Sequence, residues 1–232
     1  MSELQECIET LLRANCKLFE KTDFKKAQKL LIEARPTIRH FHQGAIIFFR
    51  GDVYERLNII VEGKASAEII DMDGRVLKVE SLEAPELIAS GILFSDTNIL
   101  PVQLTADTDV CLFSISKSSL IKMCMQDEHM LQKLYQDMGN RITFLAEKLR
   151  MLGFDTIKEK IAAYFLDLAE KQNNLEISLP YSLEVTAELF GVSRPSLSRS
   201  LSSLVEEGIL EKKGRNYIIT DRQYLKNELV ND

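Results

Sequence analysis

The chain has 232 residues, enough for two domains of ordinary size, and 45% of them are hydrophobic. This composition excludes a disordered chain, and the lack of an apolar run of about 20 residues excludes a membrane-spanning one. The net charge of −6 excludes attraction of nucleic acid by bulk charge, so any such attraction has to be local. Because the first six residues have neither the basic nor the apolar region of a signal peptide, we expect a cytoplasmic protein without a membrane partner.

Residues 1–35 carry apolar side chains at helical spacings, which predicts short amphipathic helices that pack on the next domain. The chain has four cysteines, namely Cys7, Cys16, Cys111 and Cys124. Their spacings match no zinc motif and single out no metal site, so we expect free thiols.

Residues 37–116 form a series of short apolar strands separated by turn signals. The strands that this pattern predicts are residues 46–49, 57–61, 68–70 and 76–79. The Asp-Gly pair within residues 71–75 accepts positive φ and predicts a hairpin between the last two strands. Regularly spaced strands of this kind predict an antiparallel β-roll or jelly roll, and we assign residues 1–126 to this domain.

The longest helical pattern covers residues 127–152. Its apolar side chains recur at steps of three and four, as in the seam of a coiled coil. The seam consists of Leu131, Leu134, Met138, Ile142, Leu145 and Leu149. The pattern fits two structures, a helix packed inside one subunit and the axis of a homodimer. Gly153 breaks the helix and begins a third segment, residues 153–232.

Residues 182–204 are typical of a helix-turn-helix. Ser182 is a good N-cap for a first helix, Gly191 ends that helix, and Ser193 can cap a second one. Leucines at steps of four and three give the second helix one buried face. The opposite face carries arginines and hydroxyls, which suit guanine edges and phosphates in a major groove. The residues of this face are Arg194, Ser196, Ser198, Arg199 and Ser202.

Two short strands around a basic turn follow at residues 209–219 and predict a winged helix-turn-helix. Lys212, Lys213 and Arg215 of this wing are placed to touch phosphate. An ordinary helical hairpin with solvated arginines is the alternative for the two helices taken alone. Because residues 153–232 have a net charge of −3, DNA binding would depend on local charge and steeply on salt.

Residues 192–199, together with the downstream Glu-Gly-Ile-Leu, resemble the recognition helix of the cAMP-receptor-protein/fumarate-nitrate-regulator (Crp/Fnr) family of bacterial transcription factors. Arg194, Ser198 and Arg199 match reading positions of the family. Pro195 stands where an acidic residue is usual, so the resemblance leaves the base preference at that position open.

The spacing of Gly44, Gly51 and Gly63 resembles the effector domain of the same family, whose fold is that of cyclic-nucleotide-binding domains. The resemblance implies an α+β chain in three parts: an N-terminal antiparallel β-roll, a long dimerisation helix and a C-terminal winged helix-turn-helix. It also implies a homodimer on near-palindromic, double-stranded promoter DNA, with RNA polymerase as a further partner.

In that fold, residues 85–105 would form the effector cassette. A cyclic nucleotide needs a carboxylate for its ribose and an arginine for its phosphate. By the resemblance, Ser90 occupies the carboxylate position and residues 99–101 the arginine-serine position, so neither group is present. We therefore expect no cAMP binding and an apolar effector pocket, with plain core packing as the alternative. The candidate pocket residues are Leu87, Ile88, Ser90, Ile92, Leu93, Phe94, Ile99 and Leu100.

Residues 91–94 and 98–102 also resemble the subgroup that controls hybrid-cluster-protein genes in anaerobic bacteria, which is associated with nitrosative stress and heme. The resemblance implies a heme cofactor and a nitric oxide signal, but no spacing singles out an axial ligand. The available ligands are His40, His42, His129, Met72, Met123, Met125, Met138 and Met151. Cys7 and Cys16 do not reproduce the clustered cysteines of the iron–sulfur members, so we expect no iron–sulfur cluster.

The resemblance covers most of the chain, and no phosphate loop, nucleophile elbow or helical metal motif points to an enzyme. The sequence thus predicts a dimeric, sequence-specific DNA-binding transcription regulator controlled by an effector other than cAMP. One alternative is a redox- or thiol-responsive regulator of the same family, acting through Cys111 or Cys124. The other is a small-ligand-binding protein without DNA activity, whose helix-turn-helix contacts a protein.

Overall fold

The structure is a computed structural model that describes residues 3–14, 16–70 and 76–229, except for the side chain of Leu77. The chain folds into two compact units, Met1–Arg141 and Ile142–Asp232. Their boundary falls within the longest helix, whereas the sequence analysis sets that helix apart as residues 127–152. The α+β fold class is confirmed, with an antiparallel β-sheet domain, a long helix and a helix-turn-helix in this order.

The first unit begins with two helices, α1 (Glu3–Arg13) and α2 (Phe24–Glu33), joined through a 3₁₀ turn at Lys17–Phe19. Helix α2 begins where the Asp23 side chain accepts a hydrogen bond from the backbone N–H of Lys26. Side chains from both helices are buried in one hydrophobic core with those of the following strands. The prediction that these amphipathic helices pack on the next domain is therefore confirmed.

In the described part of residues 37–116, eight strands form two antiparallel sheets. The first sheet has the order β1-β8-β3-β6, and its strands are β1 (Thr37–Phe41), β3 (Arg56–Glu62), β6 (Glu86–Ile88) and β8 (Val110–Ser116). The second has the order β2-β7-β4-β5, and its strands are β2 (Ile46–Phe48), β4 (Lys64–Ile70), β5 (Val76–Glu83) and β7 (Gln103–Ala106). Non-sequential neighbours within each sheet are the pattern of a jelly roll, so the predicted β-roll is confirmed.

Strands β4 and β5 pair as the predicted hairpin, although its turn at residues 71–75 lies outside the described residues. Gly63 sits between β3 and β4 with φ of 91°. A Cβ atom there would lie 2.0 Å from the backbone oxygen of Asp109, so both the backbone conformation and the close approach require glycine.

Two helices close the first unit. Helix α3 (Lys117–Gln126) begins at Ser116, whose side chain accepts a hydrogen bond from the Ser119 N–H. Helix α4 (Glu128–Leu152) follows at once and is the longest helix among the described residues. Its first half places Met130 and Leu134 in the core of the first unit, while Met151 near its end belongs to the core of the second.

Among the described residues, the second unit contains the C-terminal part of α4, four further helices and a three-stranded sheet. Helix α5 (Ile157–Gln172) begins with a capping box between Thr156 and Glu159 and contributes more side chains to the second core than any other element. The remaining elements are β9 (Glu176–Ser178), α6 (Leu183–Phe190), α7 (Arg194–Glu206), β10 (Leu210–Lys213), β11 (Asn216–Ile219) and α8 (Arg222–Glu228). The sheet order β10-β11-β9 forms the wing, which confirms the predicted winged helix-turn-helix. Within the described ranges, no helix combines the length and apolar character needed to cross a membrane.

Candidate effector site and DNA-binding surface

The helix-turn-helix is built from short-range signals in the sequence. The Ser182 side chain accepts a hydrogen bond from the Val185 N–H, and Gly191 ends α6 with φ of 67°. Ser193 caps α7 by accepting from the Ser196 N–H, and Pro195 lies in the first turn of α7. These caps set both ends of α6, the start of α7 and the turn between them.

One contact that supports the turn was not predicted. Lys160 on α5 is 7% exposed, and its ammonium donates a hydrogen bond to the backbone oxygen of Phe190 at 2.9 Å. This bond satisfies a carbonyl at the end of α6 and ties the helix-turn-helix to α5. In the sequence, Lys160 is recognisable only as a lysine next to the apolar side of a helix. Such a lysine is more often exposed to solvent than buried as a hydrogen-bond donor.

Helix α7 separates a buried face from an exposed one. Leu197, Leu201 and Leu204 are buried in the second core. On the other side Arg194, Ser198, Arg199 and Ser202 are exposed and Ser196 is half-buried. Because all five lie in the N-terminal two-thirds of α7, the exposed face offers two guanidinium groups and three hydroxyls to one ligand surface.

The two arginines of α7 make only weak contacts within the second unit. The Arg199 Nη2 donates to the Ser196 Oγ at 3.2 Å, and the Arg194 Nε lies 3.8 Å from a Glu184 carboxylate oxygen. Exposed contacts of this kind contribute little to stability, so both guanidinium groups can exchange them for other acceptors.

The predicted wing residues are all exposed on or between β10 and β11. Lys213 forms an ion pair of 3.1 Å with Glu176. Hydrogen bonds from Asn216 and Lys213 hold the pKa of Glu176 below its ordinary value, so this carboxylate stays charged at neutral pH. Because Lys213 is paired with this carboxylate, it adds less to the positive charge of the wing than Lys212 and Arg215 do.

The predicted effector pocket is mostly core. Leu87, Ile88, Leu93 and Leu100 are buried in the hydrophobic core of the first unit, and Ile92 packs against it. Two other members lie at the surface, since Phe94 is 39% and Ile99 is 46% exposed. The sequence predicts that these side chains line one pocket. In the structure, four of them instead contact other core side chains.

Ser90, the eighth predicted pocket residue, leads to an ion cluster. Its Oγ donates a hydrogen bond to the Asp137 Oδ2 of α4 at 2.6 Å. The same carboxylate oxygen accepts from the Arg141 Nε at 3.3 Å. The Arg141 Nη groups also donate to Glu80, Glu86 and the backbone oxygen of Leu87. We call Ser90, Glu80, Glu86, Asp137 and Arg141 the Arg141 cluster.

The Arg141 cluster joins α4 to strands β5 and β6. Burial lowers the pKa of Arg141, but the charges of Glu80, Asp137 and Glu86 outweigh it, so the pKa is raised above its ordinary value. The guanidinium is therefore permanently charged and has acceptors on each of its nitrogen atoms. By the resemblance, Ser90 stands at the ribose-binding position. The carboxylates around that position therefore already accept hydrogen bonds from the guanidinium of Arg141.

A second region, which we call the apolar cleft, lies between α3, α4 and the 3₁₀ turn at Ile92–Phe94. It has a volume of about 320 Å³. Its lining consists of Phe94, Leu120, Ile121, Cys124, Met125, Leu131, Leu134, Tyr135 and Met138. Apart from the thiol and the phenol, this lining is hydrocarbon and thioether, which suits an apolar ligand.

The candidate heme ligands are scattered over the chain. Each histidine lies near a carboxylate, in the pairs His40–Glu3, His42–Asp109 and His129–Asp127. Met123 and Met151 are buried in the two cores, and Met72 lies outside the described residues. Met125 and Met138 line the apolar cleft.

The predicted dimer seam divides into two sets. Leu131, Ile142, Leu145 and Leu149 are exposed, with Ile142 at 69% and Leu149 at 71%. Leu134 is instead buried in the core of the first unit, and Met138 packs against that core. Leu134 and Met138 thus differ from the prediction, because the first unit itself covers that part of the α4 stripe.

All four cysteines are free and buried. The Cys7 Sγ on α1 lies 3.4 Å from the Cys111 Sγ on β8. Burial is the main cause that raises the pKa of both thiols, that of Cys111 to about 12. Among the described residues, no group of histidine, cysteine and carboxylate side chains is arranged to hold a metal ion.

Comparison with known proteins assigns both domains. Residues 38–127 match the family model of a cyclic nucleotide-binding domain, and residues 159–228 match that of a Crp-like helix-turn-helix domain. The chain belongs to the Crp/Fnr family of transcription regulators. This Crp/Fnr protein has both domains in the order that the sequence predicts.

Relatives of this Crp/Fnr protein are transcription regulators rather than enzymes, as the sequence predicts. It is 24% identical to the transcriptional activator protein FnrL of Cereibacter sphaeroides, with 84% of this chain and 81% of FnrL covered. It is 23% identical to the cAMP-activated global transcriptional regulator Vfr of Pseudomonas aeruginosa, with 78% and 88% covered.

Solved structures of the family have the same fold. CprK complexed with OCPA has a TM-score of 0.60 and 25% identity, over 86% of this chain and 92% of that one. The catabolite activator protein of Thermus thermophilus has a TM-score of 0.53 and 19% identity, over 92% and 98%. The agreement extends across both domains of the Crp/Fnr protein.

Proposed function

We propose that this Crp/Fnr regulator is a homodimer that binds a near-palindromic promoter site and contacts RNA polymerase there, under the control of an effector other than cAMP. The observation that carries the proposal is the exposed face of α7, where Arg194 and Arg199 make only weak contacts within the second unit. Arginine on a recognition helix can donate two hydrogen bonds to guanine. Selection of duplexes from a random library by the purified chain tests it, since enrichment of one sequence supports DNA reading. Failure to enrich any sequence at low salt would favour the alternative, a ligand-binding protein without DNA activity.

The exposed part of the α4 stripe supports the homodimer. Leu131, Ile142, Leu145 and Leu149 form one exposed apolar row along the helix. A second α4 would bury this row as in a coiled coil. Two protomers would present two α7 helices to one DNA duplex, which explains why a near-palindromic site is expected.

Changing Ile142 to glutamate should separate the protomers, because the dimer would bury an unpaired carboxylate. We expect the dissociation constant of the dimer to rise at least about tenfold. Sedimentation velocity over a concentration series measures it, and Gln136→Glu, on the opposite side of α4, is the control that should stay dimeric. A wild-type chain that sediments as a monomer throughout would contradict the proposed dimer.

An effector other than cAMP is supported by the groups around Ser90. The ribose carboxylate is absent there, and the neighbouring carboxylates of the Arg141 cluster already accept hydrogen bonds from Arg141 and Ser90. A cyclic nucleotide would have to replace these contacts without the arginine-serine pair that the resemblance implies for its phosphate. The site therefore favours regulation by another molecule.

We propose heme as that effector, in a response to nitric oxide. The residues of the apolar cleft fit the group, since Met125, Met138, Cys124 and Tyr135 are of the types that ligate heme iron. Bound heme would supply an iron atom that binds nitric oxide. The apolar side chains around these donors would pack on the porphyrin face.

Titration of the purified chain with heme should give a saturable Soret band that shifts when a nitric oxide donor is added. Met125→Leu and Met138→Leu keep side-chain volume but remove a sulfur, so the variant that loses the axial ligand should change the band. Gln132→Ala, at an exposed position of α4 outside the cleft lining, is the control. A chain without a saturable band would remove heme from the proposal.

The pair Cys7 and Cys111 favours a second candidate function, that of a thiol-responsive regulator. The two sulfur atoms need to approach by little more than 1 Å to reach disulfide bonding distance. With a peroxide as oxidant, each thiol would lose a proton and an electron as the S–S bond forms. The peroxide O–O bond would break as it takes up both protons and both electrons, leaving as two molecules of water or as water and an alcohol.

Treatment with hydrogen peroxide should remove two titratable thiols and two hydrogen masses, reversibly with dithiothreitol. Because burial raises the pKa of Cys111 to about 12, the thiolate fraction and therefore the rate should increase with pH throughout the neutral range. Cys7→Ser and Cys111→Ser should each abolish the change, while Cys124→Ser should retain it. Unchanged thiol content in the wild-type chain would contradict this function.

A further inference from the structure

The first unit has a second cleft, of about 370 Å³, with a different chemical character from the apolar cleft. Arg39, Arg56, Phe48, Val53 and Tyr54 contribute to its lining. Two guanidinium groups beside two aromatic rings form an environment for a small molecule that carries both negative charge and an apolar part. We call this region the arginine cleft.

Strand register places the two arginines on one face of the first sheet. Thr37 on β1 and Asn58 on β3 both lie opposite Ser114 on the strand between them. Arg39 follows Thr37 by two residues and Arg56 precedes Asn58 by two, so alternation along each strand keeps them on that face. The floor of the face is polar and buried, since Ser114 donates to Asn58 and Asn58 to the backbone oxygen of Arg56.

Neither arginine of the cleft has an anionic partner in the part of the chain that the structure describes. Arg39 lies over the rings of Phe41 and Phe48, 5.4 and 5.2 Å from their centroids. Arg56 donates from Nη2 to the backbone oxygen of Ser114 at 3.0 Å, while its Nε is buried without a hydrogen-bond partner. Other arginines of the first unit, such as Arg13 and Arg141, pair with carboxylates.

Burial and the neighbouring Arg56 both act on the charge of Arg39. Partial burial, followed by the positive charge of Arg56, lowers the pKa of Arg39 below its ordinary value. Glu55 also lines the cleft, but it forms no ion pair with either arginine within the described ranges. Two like charges therefore line the same cavity, and an oxyanion bound between them would offset their repulsion.

We propose that the arginine cleft binds the carboxylate or phosphate group of a small organic anion between Arg39 and Arg56. Its apolar part packs on Phe48 and Val53. The guanidinium groups of Arg39 and Arg56 donate to the anion from two sides, which gives charge-assisted hydrogen bonds. This site is separate from the apolar cleft, and its ligand acts on the β-roll irrespective of heme, thiol oxidation or DNA binding.

Isothermal titration of the full chain with benzoate, phenyl phosphate and neutral benzamide tests the proposal. At least one anion should bind saturably and about tenfold or more tightly than benzamide, since only an anion gains the charge-assisted bonds. The stronger of the two anions identifies the acid group. Absence of saturable binding by both anions, or equal binding of benzamide, would overturn the proposal.

Variants assign the binding to the two arginines. Arg39→Gln and Arg56→Gln should each weaken the anion about tenfold, whereas Arg50→Gln, which removes an exposed arginine outside the cleft, should not. Because Arg56 also holds Ser114, circular dichroism must show that its variant is folded, and Arg39→Gln tests the site independently if it is not. Anion affinity that is unchanged in Arg39→Gln would contradict the site.

Discussion

Changing Arg141 to alanine should destabilise the first unit by about 3 to 5 kcal/mol, the usual cost of removing one partner from a buried ionic network. The side chain is 18% exposed and donates to three carboxylates and one backbone oxygen. Its removal would leave Asp137, which is 6% exposed, without a cationic partner. Urea unfolding followed by circular dichroism measures the change, and the transition of the first unit should move to lower denaturant concentration.

Arg150→Ala is the matched control for this experiment. Arg150 lies on the same helix and pairs with Asp167 at 3.5 Å, but its side chain is 43% exposed. Solvent screens such a pair, so its loss should cost at most about 1 kcal/mol. If Arg141→Ala costs no more than Arg150→Ala, the Arg141 cluster is not what holds α4 to the β-roll.

Changing Arg199 to alanine should weaken binding to the selected duplex by about 1 to 3 kcal/mol, or roughly 5- to 150-fold. Arg199 projects from the exposed face of α7, where it bonds only to a serine hydroxyl within the described residues. Its loss should also relax the preference for one base pair in each half-site. Fluorescence anisotropy with the selected duplex and with a scrambled one measures both effects at a fixed salt concentration.

Arg199→Lys separates charge from hydrogen-bond geometry. A lysine keeps the positive charge but lacks the planar fork that donates two bonds to guanine. Binding to the scrambled duplex should therefore be retained, while the preference for the selected duplex falls. An Arg199→Ala variant that binds the selected duplex as tightly as the wild type would show that α7 does not read the site through Arg199.

The features that the sequence predicts best are those set by neighbouring residues. Both ends of α6 and the start of α7 follow from Ser182, Gly191 and Ser193, because caps and positive φ depend on a few adjacent positions. Strands β2 to β5 follow from their short, regular spacing for the same reason. The two helices of the helix-turn-helix and the hairpin of β10 and β11 are such local elements and were predicted, whereas the pairing of β9 with β11 was not.

The Arg141 cluster was missed because its partners are distant in the sequence. Asp137 and Arg141 are four residues apart on α4, but Glu80 and Glu86 are 61 and 55 residues away from Arg141. An isolated Asp-Arg pair on a helix is usually exposed, so nothing local distinguished this one. The arginine cleft escaped prediction for the same reason, since only strand register brings Arg39 and Arg56 together.

The apolar pattern of α4 predicts the helix, but it does not predict which apolar positions are covered within one chain. The period of α4 locates its stripe, but the period does not say whether the same chain or a second chain covers each position. Leu134 is covered within the protomer, whereas Ile142 and Leu149 are exposed. Residues 85–105 pose the same problem, because core packing and ligand binding both favour leucine and isoleucine.

The most direct test of the proposed function is the symmetry of the DNA that the chain selects, together with the number of chains bound per duplex. We expect two inverted half-sites with centres about 34 Å apart, one helical turn of DNA, and two chains on each duplex by sedimentation. A selected sequence without two-fold symmetry, bound by a single chain, would contradict a dimer that reads DNA through two copies of α7.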